Sequence, residues 1–109
     1  MWSEHDFFLS VDPKTIMMGE DFLLSASAVP LLLEQCETEN ILILGFDAFK
    51  ITPEGHRHPQ MEHIYATSLN QNCDPRDAIQ AAISEIRTYF QKHFPEGTEL
   101  HFAFVLEPH

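Results

Sequence analysis

His56, His58 and His63, with Glu54 and Glu62 beside them, are the residues of this chain whose types and spacing could hold a metal ion. On a strand, a His-x-His pair points both imidazoles to one face, a spacing that zinc sites use. A metal held there would make the chain a small metal-binding module or a metal-dependent enzyme. Gly55 and Pro59 flank the pair, however, and favour a loop tip, where the same histidines are solvated and bind metal only adventitiously. Other catalytic arrangements are missing from the sequence. No nucleophile elbow, phosphate-cradling glycine loop or His-Glu-x-x-His helix occurs. Cys73 precedes Asp74 at an expected helix N-terminus, where the dipole favours thiolate, but Asp74 and Asp77 oppose that with negative charge. No enzyme activity and no cofactor are expected on these grounds.

Asp47 is the most informative single position. It interrupts the apolar run Gly45-Phe46-Asp47-Ala48-Phe49, and a buried carboxylate there needs hydrogen bonds or a cation. Used functionally, it would anchor an interface or act as a general base. Used structurally, it would pair with Lys50, Arg57 or a loop amide.

The elements that must position these residues start with a helix from about Pro75 to Phe94. Asp74 is its expected cap and Pro75 its first helical residue, with Asp77 near the positive end of the dipole. Ile79, Ala82, Ile83, Ile86, Phe90 and His93 form one stripe, with Arg76, Gln80, Arg87 and Gln91 opposite. Ile41 to Ile51 is dense in apolar residues on both alternating faces and reads as a central strand covered on both sides. Met61 to Leu69 is a second strand, with Thr52 to Pro59 as the hairpin loop, and Leu100 to Leu106 a third. Before them, Asp12-Pro13 and Gly19 frame a short helix over 13–18, and Ser27 caps another that runs through Cys36. Trp2, Phe7, Phe8 and Leu9 pack an N-terminal segment onto the body. The expected architecture is α+β in one domain spanning 1–109: a small antiparallel sheet of about three strands packed by two or more helices.

Charge narrows the partners. Seventeen acids face six bases, for a net charge of −11. Residues 1–49 hold nine acids against Lys14 alone, a net of −8, while 50–109 hold eight acids against five bases, a net of −3. Such a surface repels nucleic acid and anionic lipid and attracts cationic partners. The acids Glu20, Asp21, Glu34, Glu37, Glu39 and Asp47 are therefore candidate contacts, though a run such as Glu34, Glu37 and Glu39 is also what a solvated helix face looks like. The chain is 44% hydrophobic, which argues for a folded unit. No apolar stretch reaches the roughly 20 residues of a membrane span, and the first residues lack the cationic and apolar regions of a secretory signal. With Cys36 and Cys73 far apart in sequence, reduced thiols and a cytoplasmic location are expected, a single disulfide being the alternative.

The segment Ile43-Leu44-Gly45-Phe46-Asp47-Ala48-Phe49, the Pro- and His-rich loop after it, and Met61-Glu62-His63-Ile64 together resemble the hairpin of small bacterial immunity proteins. These accompany polymorphic toxins, including those of contact-dependent growth inhibition systems. The resemblance covers residues 41–69, and beyond them length, acidity and element order. It implies a cytoplasmic protein that binds a cognate toxin domain, often a basic nuclease, and blocks its active site or an exosite. Interfaces diverge within such families, so Asp47 and Glu62 are carried over only as candidate toxin-binding residues. In such an inhibitor, Tyr65 or Trp2 would supply aromatic anchors at the interface.

Overall fold

The computed structural model describes residues 3–68 and 74–108. The chain is α+β, with three α-helices laid on one face of an antiparallel sheet whose strands number six rather than about three. Helix α1 spans Glu4–Val11, strand β1 Ile16–Met18, β2 Asp21–Ser25, α2 Val29–Thr38, β3 Ile41–Ile51, β4 Arg57–Pro59, β5 Tyr65–Ala66, α3 Pro75–His93 and β6 His101–Pro108. The sheet runs β1-β2-β6-β3-β4, with β5 pairing β3 beside β4.

Two of the additional strands, β1 and β2, come from the first 25 residues, and the third, β4, from the expected hairpin loop. Where a helix is expected over 13–18, the chain instead forms the β1–β2 hairpin, with Met18 opposite Asp21. Gly19 takes φ 62° at the first of the two turn residues, the position where two-residue hairpins use glycine. Its backbone freedom turns a strand rather than ending a helix. Asp12 caps the C-terminus of α1, and its carboxylate accepts from the Lys14 backbone N–H at 3.0 Å and from Ser25 Oγ at 3.4 Å. Those bonds hold the helix end against the hairpin.

Strand β3 is central and has the expected bounds. Its apolar density has a different cause from coverage on both faces. The register against β6 shifts between Ile43, opposite Leu106, and Gly45, opposite Val105, leaving Leu44 as an extra residue. The bulge reverses the alternation. Ile43 faces the helices before it, and Phe46 and Ala48 face them after it. Gly45, Asp47, Phe49 and Ile51 are thereby sent to the second face.

Helix α3 forms as its sequence requires. Asp74 accepts from the Arg76 backbone N–H at 2.8 Å, Pro75 opens the helix, and Ile79, Ala82, Ile83 and Ile86 are buried. His93, at the end of the expected apolar stripe, is exposed. Ser27 does not cap α2; a 3-10 turn over Ala26–Ala28 precedes that helix and Ala28 holds the cap position without a side-chain bond. Of the expected strand over Met61 to Leu69, residues 61–68 form only β5, preceded by a 3-10 turn at Met61–His63, while Leu69 lies outside the described residues. Between β3 and β4 the loop is shortened to residues 52–56, because Arg57, His58 and Pro59 pair with Ile51, Lys50 and Phe49.

Phe46 centres the core between sheet and helices. The rings of Tyr65, Tyr89, Phe90, Phe102 and Phe104 lie with centroids between 5.4 and 5.6 Å from its own. The second face carries a smaller cluster in which Leu23, Phe49 and Ala103 are packed by Ile16, Met18 and Ile51. No helix among the described residues is long and apolar enough to cross a membrane.

Candidate functional site

Asp47 lies on the second face of the sheet, opposite Ala103 of β6, which in turn lies opposite Leu23 of β2. It is half-buried, and among the described residues it makes no hydrogen bond and no ion pair. The structural partners expected for it are engaged or misplaced. Lys50 is three residues along β3 and so projects from the opposite face. Arg57 donates through Nη1 to Asp21 Oδ2 at 2.7 Å, its guanidinium 5.1 Å above the Phe49 ring. Asp47 is left as a carboxylate without a cation. On the same face, His101 has a buried Nδ1 with no hydrogen-bond partner.

The other acids do not converge on Asp47. Glu34, Glu37 and Glu39 are exposed at and just beyond the end of α2, in the helix layer. Glu37 shares a groove of about 300 Å³ with Arg76, Ile79 and Gln80, so a base stands near that acidic end. Glu20 is exposed at the tip of the β1–β2 hairpin, and Asp21 beside it is already paired. Asp12 is buried in its capping role. The acid-rich first half is thus split between the two sides of the molecule, because the chain crosses from the helix layer at Glu39 to the second face at Asp47.

The three histidines are not brought together. His56 sits exposed in the β3–β4 loop, its backbone N–H donating to Thr52 Oγ1 at 3.1 Å. His58 is exposed on β4. His63 turns away to α3, its Nδ1 2.7 Å from the Tyr89 hydroxyl and its ring 4.8 Å from that of Phe94. Among the described residues no group of three His, Cys, Asp or Glu side chains could hold a metal ion.

A constellation that sequence reasoning missed lies along α3. Glu85 accepts from the Tyr65 hydroxyl at 2.6 Å and from the Ser68 backbone N–H and Oγ at 3.1 and 3.2 Å. Tyr65 and Tyr89 lie 4.9 Å apart, and the Tyr89 ring is 4.2 Å from that of His93. Burial first, then the bond and charge of Glu85, and then Tyr89, push the Tyr65 hydroxyl up to about 12. Burial, then the Glu62 charge, also raises Tyr89. Both phenols stay protonated as donors, which suits a strut joining β5 to α3 better than an acid–base pair. Tyr65 therefore has a positioning task in the fold beside any contact it makes. Glu62 is exposed in the 3-10 turn, its backbone carbonyl accepting from Tyr89 at 3.5 Å. The signal in the sequence was the i, i+4 pair Glu85 and Tyr89, on a helix flank next to the apolar stripe.

A largely apolar groove of about 550 Å³ lies between the start of α2 and the end of α3, lined by Val29, Leu33, Phe90 and Phe94 among others. Arg87 and Gln91 of α3 are its polar side chains, and the rest of the lining is apolar or glycine. Cys36 is buried, its thiol pushed up to about 12 by burial and then by the Glu39 charge, which makes it inert as a nucleophile. Trp2 and Cys73, and with Cys73 the expected disulfide alternative, lie outside the described residues. No family model matches this chain, and neither a curated protein nor a solved structure matches it.

Proposed function

We propose that this chain is an immunity-type inhibitor, a non-catalytic cytoplasmic protein that binds a cognate basic toxin domain through acidic surface and blocks it. One observation carries the reading: folding leaves the acid excess uncompensated. Among the described residues, Arg57 with Asp21 is the one ion pair between a carboxylate and a Lys or Arg, against a net charge of −11. Unpaired surface carboxylates of one sign cost the folded state self-repulsion, and they accelerate encounter with a cation-rich partner. A nuclease toxin, which must itself attract phosphate, is such a partner.

The test is the association rate with the toxin domain encoded by the adjoining gene, measured against ionic strength. Screening shortens from roughly 30 Å at 0.01 M salt to about 8 Å at 0.15 M. The rate is expected to fall about tenfold or more over that range. Failure to form a complex at micromolar concentrations removes the reading.

A further inference from the structure

The second face of the sheet is only partly used by the fold. Toward Ile51 it is closed by the Leu23, Phe49 and Ala103 cluster and by Arg57 lying over Phe49. Toward Gly45, which the β5 backbone itself buries, the flanking side chains are exposed. Val105 stands opposite Gly45 and is 51% exposed, although Phe102, Ala103 and Phe104 on the same strand are all under 9% exposed. Ala66 stands opposite Gly45 from the other side, exposed. Ile64, two residues before Ala66 with extended backbone at φ −94° and ψ 123°, shares its side of the strand and is 46% exposed. Tyr65, between them, points the other way and stacks on Phe46. Asp47 lies between this apolar ground and the closed cluster, half-buried and without a partner among the described residues.

Resting on the inhibitor reading above, we infer that this open part of the second face is the docking surface. It takes one Arg or Lys side chain of the protein partner, with the charge on the Asp47 carboxylate and the stem against Val105, Ile64 and Ala66. The occupant follows from charge complementarity. A half-desolvated carboxylate with no cation of its own gains most from a basic group that arrives with apolar cover, because the surrounding apolar contacts exclude water from the pair. Anionic lipid would be repelled by the same carboxylate. The acids at the end of α2 lie on the other side of the molecule and act on the encounter rate, while Asp47 acts on the lifetime of the complex.

Two arms test this. In the first, a catalytically inactivated toxin domain from the adjoining gene is titrated with wild type, Asp47→Asn, Val105→Ser and the double variant Glu34→Gln/Glu37→Gln, with urea unfolding confirming that each is folded. Asp47→Asn is expected to weaken Kd about thirty-fold or more, mainly through dissociation, and Val105→Ser about fivefold, while the α2 double variant changes Kd less than about threefold. Wild-type binding with Asp47→Asn within threefold of it overturns the docking surface and leaves the inhibitor reading standing. Absence of wild-type binding removes both. In the second arm, methylguanidinium chloride is added against sodium chloride at equal ionic strength while backbone amide shifts are followed. Guanidinium-specific shifts are expected in 45–49 and 103–105, and shifts confined to α1 and α2 overturn the inference.

Discussion

Arg57 Nη1 reaches Asp21 Oδ2 at 2.7 Å even though β4 and β2, which carry them, are separated in the sheet by β3 and β6. At the usual spacing of about 4.8 Å, three strand gaps would hold the two backbones about 14 Å apart in a flat sheet. The right-handed twist general to β-sheets, which lifts diagonal corners toward each other, and the length of the arginine side chain account for such a reach. The pair is a latch over Phe49.

Removing the latch has a modest cost. The two side chains are 33% and 48% exposed, so their ion pair contributes about 0.2–1 kcal/mol. The contact with the Phe49 ring adds roughly 0.5–1 kcal/mol. Arg57→Gln is expected to lower stability by about 1 kcal/mol in urea titrations, and a double-mutant cycle with Asp21→Asn should give a coupling below about 1 kcal/mol that shrinks in high salt.

Gly45→Ala strikes a tighter spot. A Cβ at Gly45 would run into the Tyr65 backbone carbonyl oxygen, so β5 must move away from β3. A loss of about 1–3 kcal/mol is expected. Hydrogen exchange locates the damage: the Thr67 amide, which donates to the Leu44 carbonyl at 3.0 Å, should lose protection while amides inside α3 keep theirs.

Phe46→Ala should be the most damaging core change. It removes the ring against which Tyr65, Tyr89, Phe90, Phe102 and Phe104 pack. About 3–5 kcal/mol is expected from denaturant unfolding, with Phe46→Leu costing less because it leaves a smaller cavity.

Alkali should destabilise the protein through Cys36 and Tyr65. Their folded values, both about 12, lie above the ordinary 9.0 and 10.0, so the folded state holds these protons more tightly. The stabilisation is fully present below pH 9 and is lost as pH rises toward 12. The urea midpoint should fall over that window, and Tyr65→Phe combined with Cys36→Ala should flatten the fall.

Local signals account for what the sequence revealed. Asp74 and Pro75 start α3 because cap and proline act on the adjacent turn, and β3 was legible from end to end because its eleven residues are densely apolar. The β1–β2 hairpin was hidden. Its strands are three and five residues long, and Gly19 serves equally as a helix stop and a hairpin corner until β6 arrives to pair with β2. Asp47 stood out as the charge within an apolar strand, but its face depends on a bulge at Leu44 that only the register with Val105 reveals. The grouping of the acids was illegible for a similar reason. Neighbours in sequence at Glu39 and Asp47 are separated by the thickness of the sheet.

The strand order has a consequence for biogenesis. The last strand, β6, is inserted between β2 and β3, so residues 21–25 and 41–51 meet only through residues 101–108. A nascent chain lacking that segment exposes two unpaired strand edges, each a template for wrong partners. Assembly of the sheet must therefore wait until translation has passed residue 108, and closing such long loops places folding toward the slower, millisecond end of small domains. Under the inhibitor function proposed above, protection begins only once residues 101–108 have left the ribosome.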